Sequence, residues 1–271
     1  MPYANMKDVQ LYYEVYGEGE PIIFTHGASW DHQQWRPQVG HLSQWYKVIV
    51  WDVRGHGKSS LPAGKVDSED LVKDLVDLIE YLDIGRVHLC GLSMGGHISL
   101  QAAIHNPERV KSLILIGTPY TNTYNWYEKL FVPINRFSSR FIPMSLLARI
   151  QARTLSTFNK DNKVYIQSVV SAMSLNDWVR LWAAISRMES GDQLAEVKCP
   201  TLILQGDHDH MIKRQQADLA HQLANARLIT IKDAHHATNL DNATDVNEAI
   251  IMHLKSREWT TKVEDDSISE E

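Results

Sequence analysis

The chain has 271 residues, 44% of them hydrophobic and 22% charged, and carries a formal net charge of −6. That is the composition of a soluble globular domain with room for an insertion; its acid excess argues against a nucleic-acid partner. No apolar run reaches the roughly 18 residues of a bilayer-spanning helix, so no membrane partner is expected.

Met1–Lys7 lacks the charged-then-apolar layout of a secretory signal. The two cysteines, Cys90 and Cys199, sit in or beside apolar runs, so reduced thiols in a cytoplasmic protein are expected. Lys7–Val15 alternates polar and apolar side chains and stops at Gly17-Glu18-Gly19, the pattern of an antiparallel hairpin strand. Pro21–Thr25, Lys47–Trp51, Val87–Cys90, Leu113–Ile116 and Thr201–Leu204 are short runs apolar on both faces, and Ala226–Ile231 is a weaker one. Between several of them lie helical patterns. The clearest is Ser68–Leu82, where Leu71, Leu75, Leu78, Ile79 and Leu82 form one stripe and Ser68 is the expected cap. Doubly apolar strands alternating with helices imply a mostly parallel sheet covered on both sides.

From Pro119 to about Ser190 the strand rhythm stops, leaving helical stretches broken by Pro133 and Pro143. An interval this long reads as a helical insertion. The expected organisation is a core of residues 1–119 and 191–258, a cap over 120–190, and an acidic, disordered tail over 259–271. Charge is unevenly spread, because residues 120–190 hold nine Lys or Arg against four Asp or Glu.

The stretch VHLCGLSMGGHISL (87–100) drives an apolar strand into a helix through Gly91-Leu92-Ser93-Met94-Gly95. Gly-x-Ser-x-Gly alone is weak evidence, but its place between strand and helix gives it a reason. A strand reversing into a helix within a few residues strains its turn residue, and the flanking glycines remove the Cβ atoms that would clash. The turn exposes the Ser93 hydroxyl and leaves the Met94 amide at the helix start, where anions are favoured. Gly96 is expected to let the helix pack closely on the sheet.

GLSMGG after an apolar strand resembles the nucleophile elbow of the α/β-hydrolase superfamily, and of 3-oxoadipate enol-lactonases within it. FTHGASW (24–30) is similar to that family's His-Gly oxyanion loop, WDVRGHGKSS (51–60) to its Asp-x-Arg-Gly-x-Gly-x-Ser segment, and QGDHDHMI (205–212) to its Gly-Asp-x-Asp loop. The resemblance implies an α/β-hydrolase fold: a mostly parallel eight-stranded sheet, helices on both faces and a helical cap insertion. It also implies a serine nucleophile, then an acid, then a histidine in chain order.

A serine hydroxyl becomes nucleophilic when a base takes its proton, and the base needs an orienting carboxylate. Family position gives the acid as Asp209, with Asp207 as the alternative, and the base as His236, with His235 as the alternative. His235 stands where the family has glycine. Ala28 and Met94 are the expected oxyanion-hole amides, His26 a support for the oxyanion loop, and Asp52 and Arg54 braces of the loop after the 47–51 strand. His208 and His210 beside acids are compatible with zinc, but the fold accounts for their loop; no metal or cofactor is expected. Trp178, Leu181, Trp182, Ile185 and Met188 recur at helical spacing. That stripe either holds the cap together or sets Trp178 or Trp182 over a substrate pocket, a role open to Trp126 and Tyr127 as well.

The implied activity is hydrolysis of a small carboxylic ester or lactone through an acyl-enzyme. The basic cap is either a solvated surface or an attractor of anionic substrates. The competing readings are a carbon–carbon bond hydrolase with the same triad, haloperoxidase-like chemistry, and a small-molecule sensor acting through a partner protein. A homo-oligomer is compatible with the sequence.

Overall fold

The computed structural model describes residues 3–256, so the tail expected over 259–271 lies outside the described residues. Eight strands form one sheet in the order β1-β2-β4-β3-β5-β6-β7-β8. They are β1 (Tyr3–Asn5), β2 (Gln10–Tyr16), β3 (Glu20–Thr25), β4 (Tyr46–Trp51), β5 (Val87–Leu92), β6 (Val110–Ile116), β7 (Thr201–Gly206) and β8 (Ala226–Ile231). Pairing is parallel from β4 through β8 and antiparallel only at β1/β2 and β2/β4.

The Gly17-Glu18-Gly19 turn does not close a hairpin between β2 and β3, because β4 inserts between them. The hairpin lies one turn earlier, joining β1 and β2, where the Met6 N–H donates to the Val9 carbonyl. Gly17, at φ +68°, lets the chain pass the start of β4; a Cβ there would lie 2.1 Å from the Ser43 carbonyl oxygen.

The helices are α1 (Arg36–Leu42), α2 (Ser68–Tyr81), α3 (Met94–His105), α4 (Trp126–Ser138), α5 (Met144–Thr154), α6 (Asn162–Ala172), α7 (Leu175–Ile185), α8 (Lys213–Gln222), α9 (Thr238–Asp241) and α10 (Ala243–Lys255). The cap of α2 is Asp67 rather than Ser68, with the Asp67 N–H donating to the Asp70 carboxylate at 2.9 Å. Alternate strand residues face two cores. Ile23, Leu89 and Leu113 pack with Leu71, Leu75 and Ile98 of α2 and α3, whereas Ile22, Cys90 and Ile114 pack with Leu42, Val246 and Ile250 of α1 and α10. Helices α4–α7 lie between β6 and β7, and a bridge between Thr121 and Glu189 closes their base. Both cysteines are free thiols. Among the described residues, no helix is long and apolar enough to cross a membrane.

Candidate active site

Ser93 stands between β5 and α3 at φ +53°, ψ −115°, a region L-residues occupy only when their surroundings force it. The forcing is visible on both sides. The Ser93 N–H donates to the Ile116 carbonyl and its own carbonyl accepts from His97, at 2.9 and 3.0 Å. A Cβ on Gly91 would lie 2.3 Å from the Gly95 backbone, and one on Gly95 would lie 2.1 Å from the Thr25 carbonyl oxygen. These two glycines therefore let β5, α3 and the end of β3 meet at the serine. Gly96 faces Thr118, whose Oγ1 would be 1.9 Å from an added Cβ, in line with the close helix packing expected there.

The His236 Nδ1 donates to the Asp209 Oδ2 at 2.7 Å. Asp209 hangs from the loop after β7, its second oxygen accepts the Met211 N–H at 3.2 Å, and its side chain is 1% exposed. Burial works to raise the Asp209 pKa, but the facing imidazole, by charge and hydrogen bond, holds it below its ordinary value. Burial likewise works to lower the His236 pKa, and the Asp209 carboxylate overrides it, leaving the imidazole above its ordinary 6.5. The alternatives face elsewhere. Asp207 accepts the Ala234 N–H and pairs with His208, and the His235 ring meets the His208 carbonyl and Phe158.

Ser93 and His236 line one cavity of about 200 Å³ together with Ala28, Met94, Trp182 and Glu128. Ser93 Oγ has no hydrogen-bond partner among the described residues, so its hydroxyl is free to turn toward His236 or a ligand. His97 also lines the cavity, but its Nε2 meets the Ser190 hydroxyl at 2.9 Å and burial pushes its pKa down to about 3. It is a neutral wall. Met94 opens α3, so its N–H is one of the four a helix leaves unpaired. The Ala28 N–H is likewise unpaired within the loop after β3.

That loop is held from three directions. The Gln34 Oε1 accepts the Gly27 N–H at 2.9 Å, and the His26 Nε2 accepts the Val53 N–H at 3.0 Å. Burial lowers the His26 pKa, which suits a neutral ring in that accepting role. From α5, Gln151 bonds Ser29 and the Trp30 indole N–H, at 3.1 and 3.0 Å. Asp52 accepts from His32 and Lys58, and Arg54 forms a two-pronged pair with Asp74 at 2.6 Å, so both brace the loop after β4.

Of the candidate tryptophans 126, 178 and 182, only Trp182 lines the cavity. Trp178 stacks on it at 5.3 Å, is buried in the cluster of Phe24 and Ile166, and does not line the cavity, so it packs rather than contacts a ligand. Trp126 is 79% exposed and does not line the cavity, because its side of α4 faces away from the core. Among the described residues no group of three or more His, Cys, Asp or Glu could hold a metal, the His208–His210 loop included.

Three contributors carry no motif. Gly117, at φ +52°, closes β6 directly against the His236–Asp209 pair; its only sequence signal is a glycine ending an apolar run. Gln34 and Glu128 reach the site through tertiary packing, which no local pattern announces.

The arrangement brings a serine hydroxyl, a carboxylate-paired imidazole and the residues carrying two unpaired backbone amides to one cavity. Residues 20–243 match the family model for the alpha/beta hydrolase fold. Among curated proteins, the (E)-2-((N-methylformamido)methylene)succinate hydrolase of Acinetobacter baylyi is 25% identical, covering 89% of this chain and 92% of that protein. Among solved structures, the enol-lactonase from Burkholderia xenovorans is 27% identical with a TM-score of 0.84, covering 93% of this chain and 99% of that one. A thermophilic esterase from Thermogutta terrifontis is 26% identical with a TM-score of 0.83, covering 91% and 93%. The chain belongs to the alpha/beta hydrolase fold family.

Proposed function

We propose that the chain is a cofactor-free serine hydrolase that cleaves a small, uncharged carboxylic ester or lactone through an acyl-enzyme. The observation that carries this reading is the strained Ser93 sharing one cavity with the Asp209-bound imidazole of His236 and the free amides of Ala28 and Met94. Relatives named for enol-lactone and ester hydrolysis support the reaction class.

Ser93 Oγ attacks the carbonyl carbon while its proton passes to His236 Nε2. Asp209 stabilises the resulting imidazolium, and the Ala28 and Met94 N–H groups bind the developing oxyanion, each contributing about 3 kcal/mol as such donors do elsewhere. Collapse of the tetrahedral intermediate expels the alkoxide, which takes the proton from His236. Water, deprotonated by the same imidazole, then attacks the acyl-serine; the second intermediate collapses, the Ser93 Oγ–acyl bond breaks, and Oγ takes the proton back from His236 as the acid leaves. The 200 Å³ cavity suits a short acyl group. Residues 120–190 act as the roof, with Val132 of α4, Trp182 and Ile185 of α7, and Met188 as its apolar contacts.

The substrate's charge follows from the lining. Among the described residues no Lys or Arg lines the cavity, whereas Glu128 does, its carboxylate accepting from the Asn125 N–H and side-chain amide, so the basic surface of the cap does not extend to the reacting centre. A carboxylate on the acyl group would face Glu128 in a confined space.

The test is multiple turnover on a panel of short neutral esters and lactones, with Ser93→Ala as the control. The proposal expects many turnovers per protein and loss of nearly all activity in the variant. Parental rates from Ser93→Ala would contradict it; one slow turnover ending in a stable adduct would favour a sensor.

A further inference from the structure

Helix α4 has two faces of opposite character. At helical spacing Glu128, Val132 and Asn135 turn inward: the first two line the reactive cavity, and Asn135 accepts the Trp182 indole N–H at 2.9 Å. The opposite side is apolar and bare. Leu130, Phe131, Ile134 and Phe137 are each more than half exposed beside Trp126, and Phe141 extends the row through a ring contact with Phe137 at 5.7 Å. No residue of α4 is buried. Soluble monomers rarely leave so many large apolar side chains together in water.

The charge around this row narrows what covers it. Residues 129–160 contain six Lys or Arg and no Asp or Glu. Lys129 and Arg140 are exposed beside the row, and the Arg140 guanidinium lies 4.4 Å from the Phe137 ring centre. A second copy docking face to face would bring its own cations against these. Helix α10 finishes with Lys255 over Trp45, just before β4, whereas the inner face of α4 lines the cavity at the carboxyl ends of β5 and β6. A helix with Trp, Phe and Leu on one side, set among cations, matches the chemistry of an anionic lipid interface.

We propose that the outer face of α4, Trp126 to Phe141, docks on the surface of an anionic lipid bilayer, lying in the interfacial plane. The lack of a spanning run, on which the expectation of no membrane partner rested, bears only on crossing a bilayer. Docked this way, the chain turns the start of α4 toward the lipid, where Tyr124 and Tyr127 line a vestibule that shares Glu128, Met211, Ile212 and Gln215 with the reactive cavity.

The experiment is flotation of the full chain with vesicles of phosphatidylcholine alone or mixed with phosphatidylglycerol. The expected result is binding to the mixed vesicles, weakened by salt, and little binding to phosphatidylcholine alone. Leu130→Ser/Phe131→Ser/Ile134→Ser, which changes only exposed side chains, lowers the partition coefficient at least ~tenfold. Lys129→Gln/Arg140→Gln lowers it by roughly fivefold per cation removed. Both variants keep the parental circular dichroism and parental turnover of a water-soluble ester, which separates this proposal from that of the hydrolase. No binding to mixed vesicles, or equal binding to both kinds, overturns it. So does a wild-type dimer in sedimentation equilibrium that the triple variant dissociates, because the face would then belong to a second copy.

Discussion

Gly117→Ala tests how tightly the backbone positions the His236–Asp209 pair. The added Cβ would lie 3.2 Å from His236 Nδ1 and 3.3 Å from Asp209 Oδ2, both inside ordinary van der Waals contact. Gly117 also sits at φ +52°, so alanine there costs about 1–2 kcal/mol in backbone strain. At roughly 2–4 °C per kcal/mol for a domain of this size, Tm should fall by a few degrees while the fold persists. The larger consequence is local. The pair must shift by a few tenths of an ångström, and since a misplacement of about 1 Å can cost ~100-fold, kcat should drop about tenfold with KM nearly unchanged. The pH profile supplies a second readout. In the parent, His236 acts as a base only when neutral, and the Asp209 carboxylate holds its pKa above 6.5, so activity should be lost as pH falls through a midpoint above that value. Loosening the contact moves that acid limb downward. The assay is the pH dependence of kcat and kcat/KM for a p-nitrophenyl ester, alongside thermal unfolding. A folded variant with parental kcat and an unmoved acid limb would refute the positioning role of Gly117.

Asp209→Asn keeps the shape but loses the charge that orients and stabilises the imidazolium, so kcat should fall by about 10⁴; stopped assays on the ester substrate would show it. Asp207→Asn, whose partners lie outside the cavity, should cost far less in the same assay. The buried Asn239 side chain bonds Gln34 and Gln38 three times, tying the histidine loop to the segment behind the oxyanion loop. At about 1 kcal/mol per bond, Asn239→Ala should lower stability by ~3 kcal/mol in urea denaturation. An ester bearing an acyl carboxylate should have a lower kcat/KM than its neutral analogue, and Glu128→Gln should narrow the gap; equal values in the parent would contradict the uncharged-substrate reading.

Where a feature depends on backbone demands a few residues apart, it was legible. The glycines around Ser93 identify the turn because only hydrogen fits where β5, α3 and β3 converge, and the short apolar runs mark the parallel strands because both their faces are covered. The choices of Asp209 over Asp207 and His236 over His235 leaned on the resemblance, and the structure pairs those two residues. Long-range placement was not legible. The alternation of residues 7–15 is the same whichever strand lies beside it, so the insertion of β4 between β2 and β3 escapes local reading. An amphipathic pattern reports two faces without saying which one meets the core; hence Trp126 was grouped with Trp182 although α4 turns it outward. Gln34, Gln151 and Glu128 act through partners distant in the chain, and nothing nearby marks them.

The proposed reaction requires the 93 hydroxyl to be the group this protein activates. Treatment with a fluorophosphonate at a pH above the acid limb, followed by peptide mass mapping, tests it without knowledge of the natural substrate. One adduct per chain on Ser93 is expected, with labelling slowed when Asp209 is replaced by Asn. Stoichiometric labelling of a different residue, or none at all in folded protein, would contradict it.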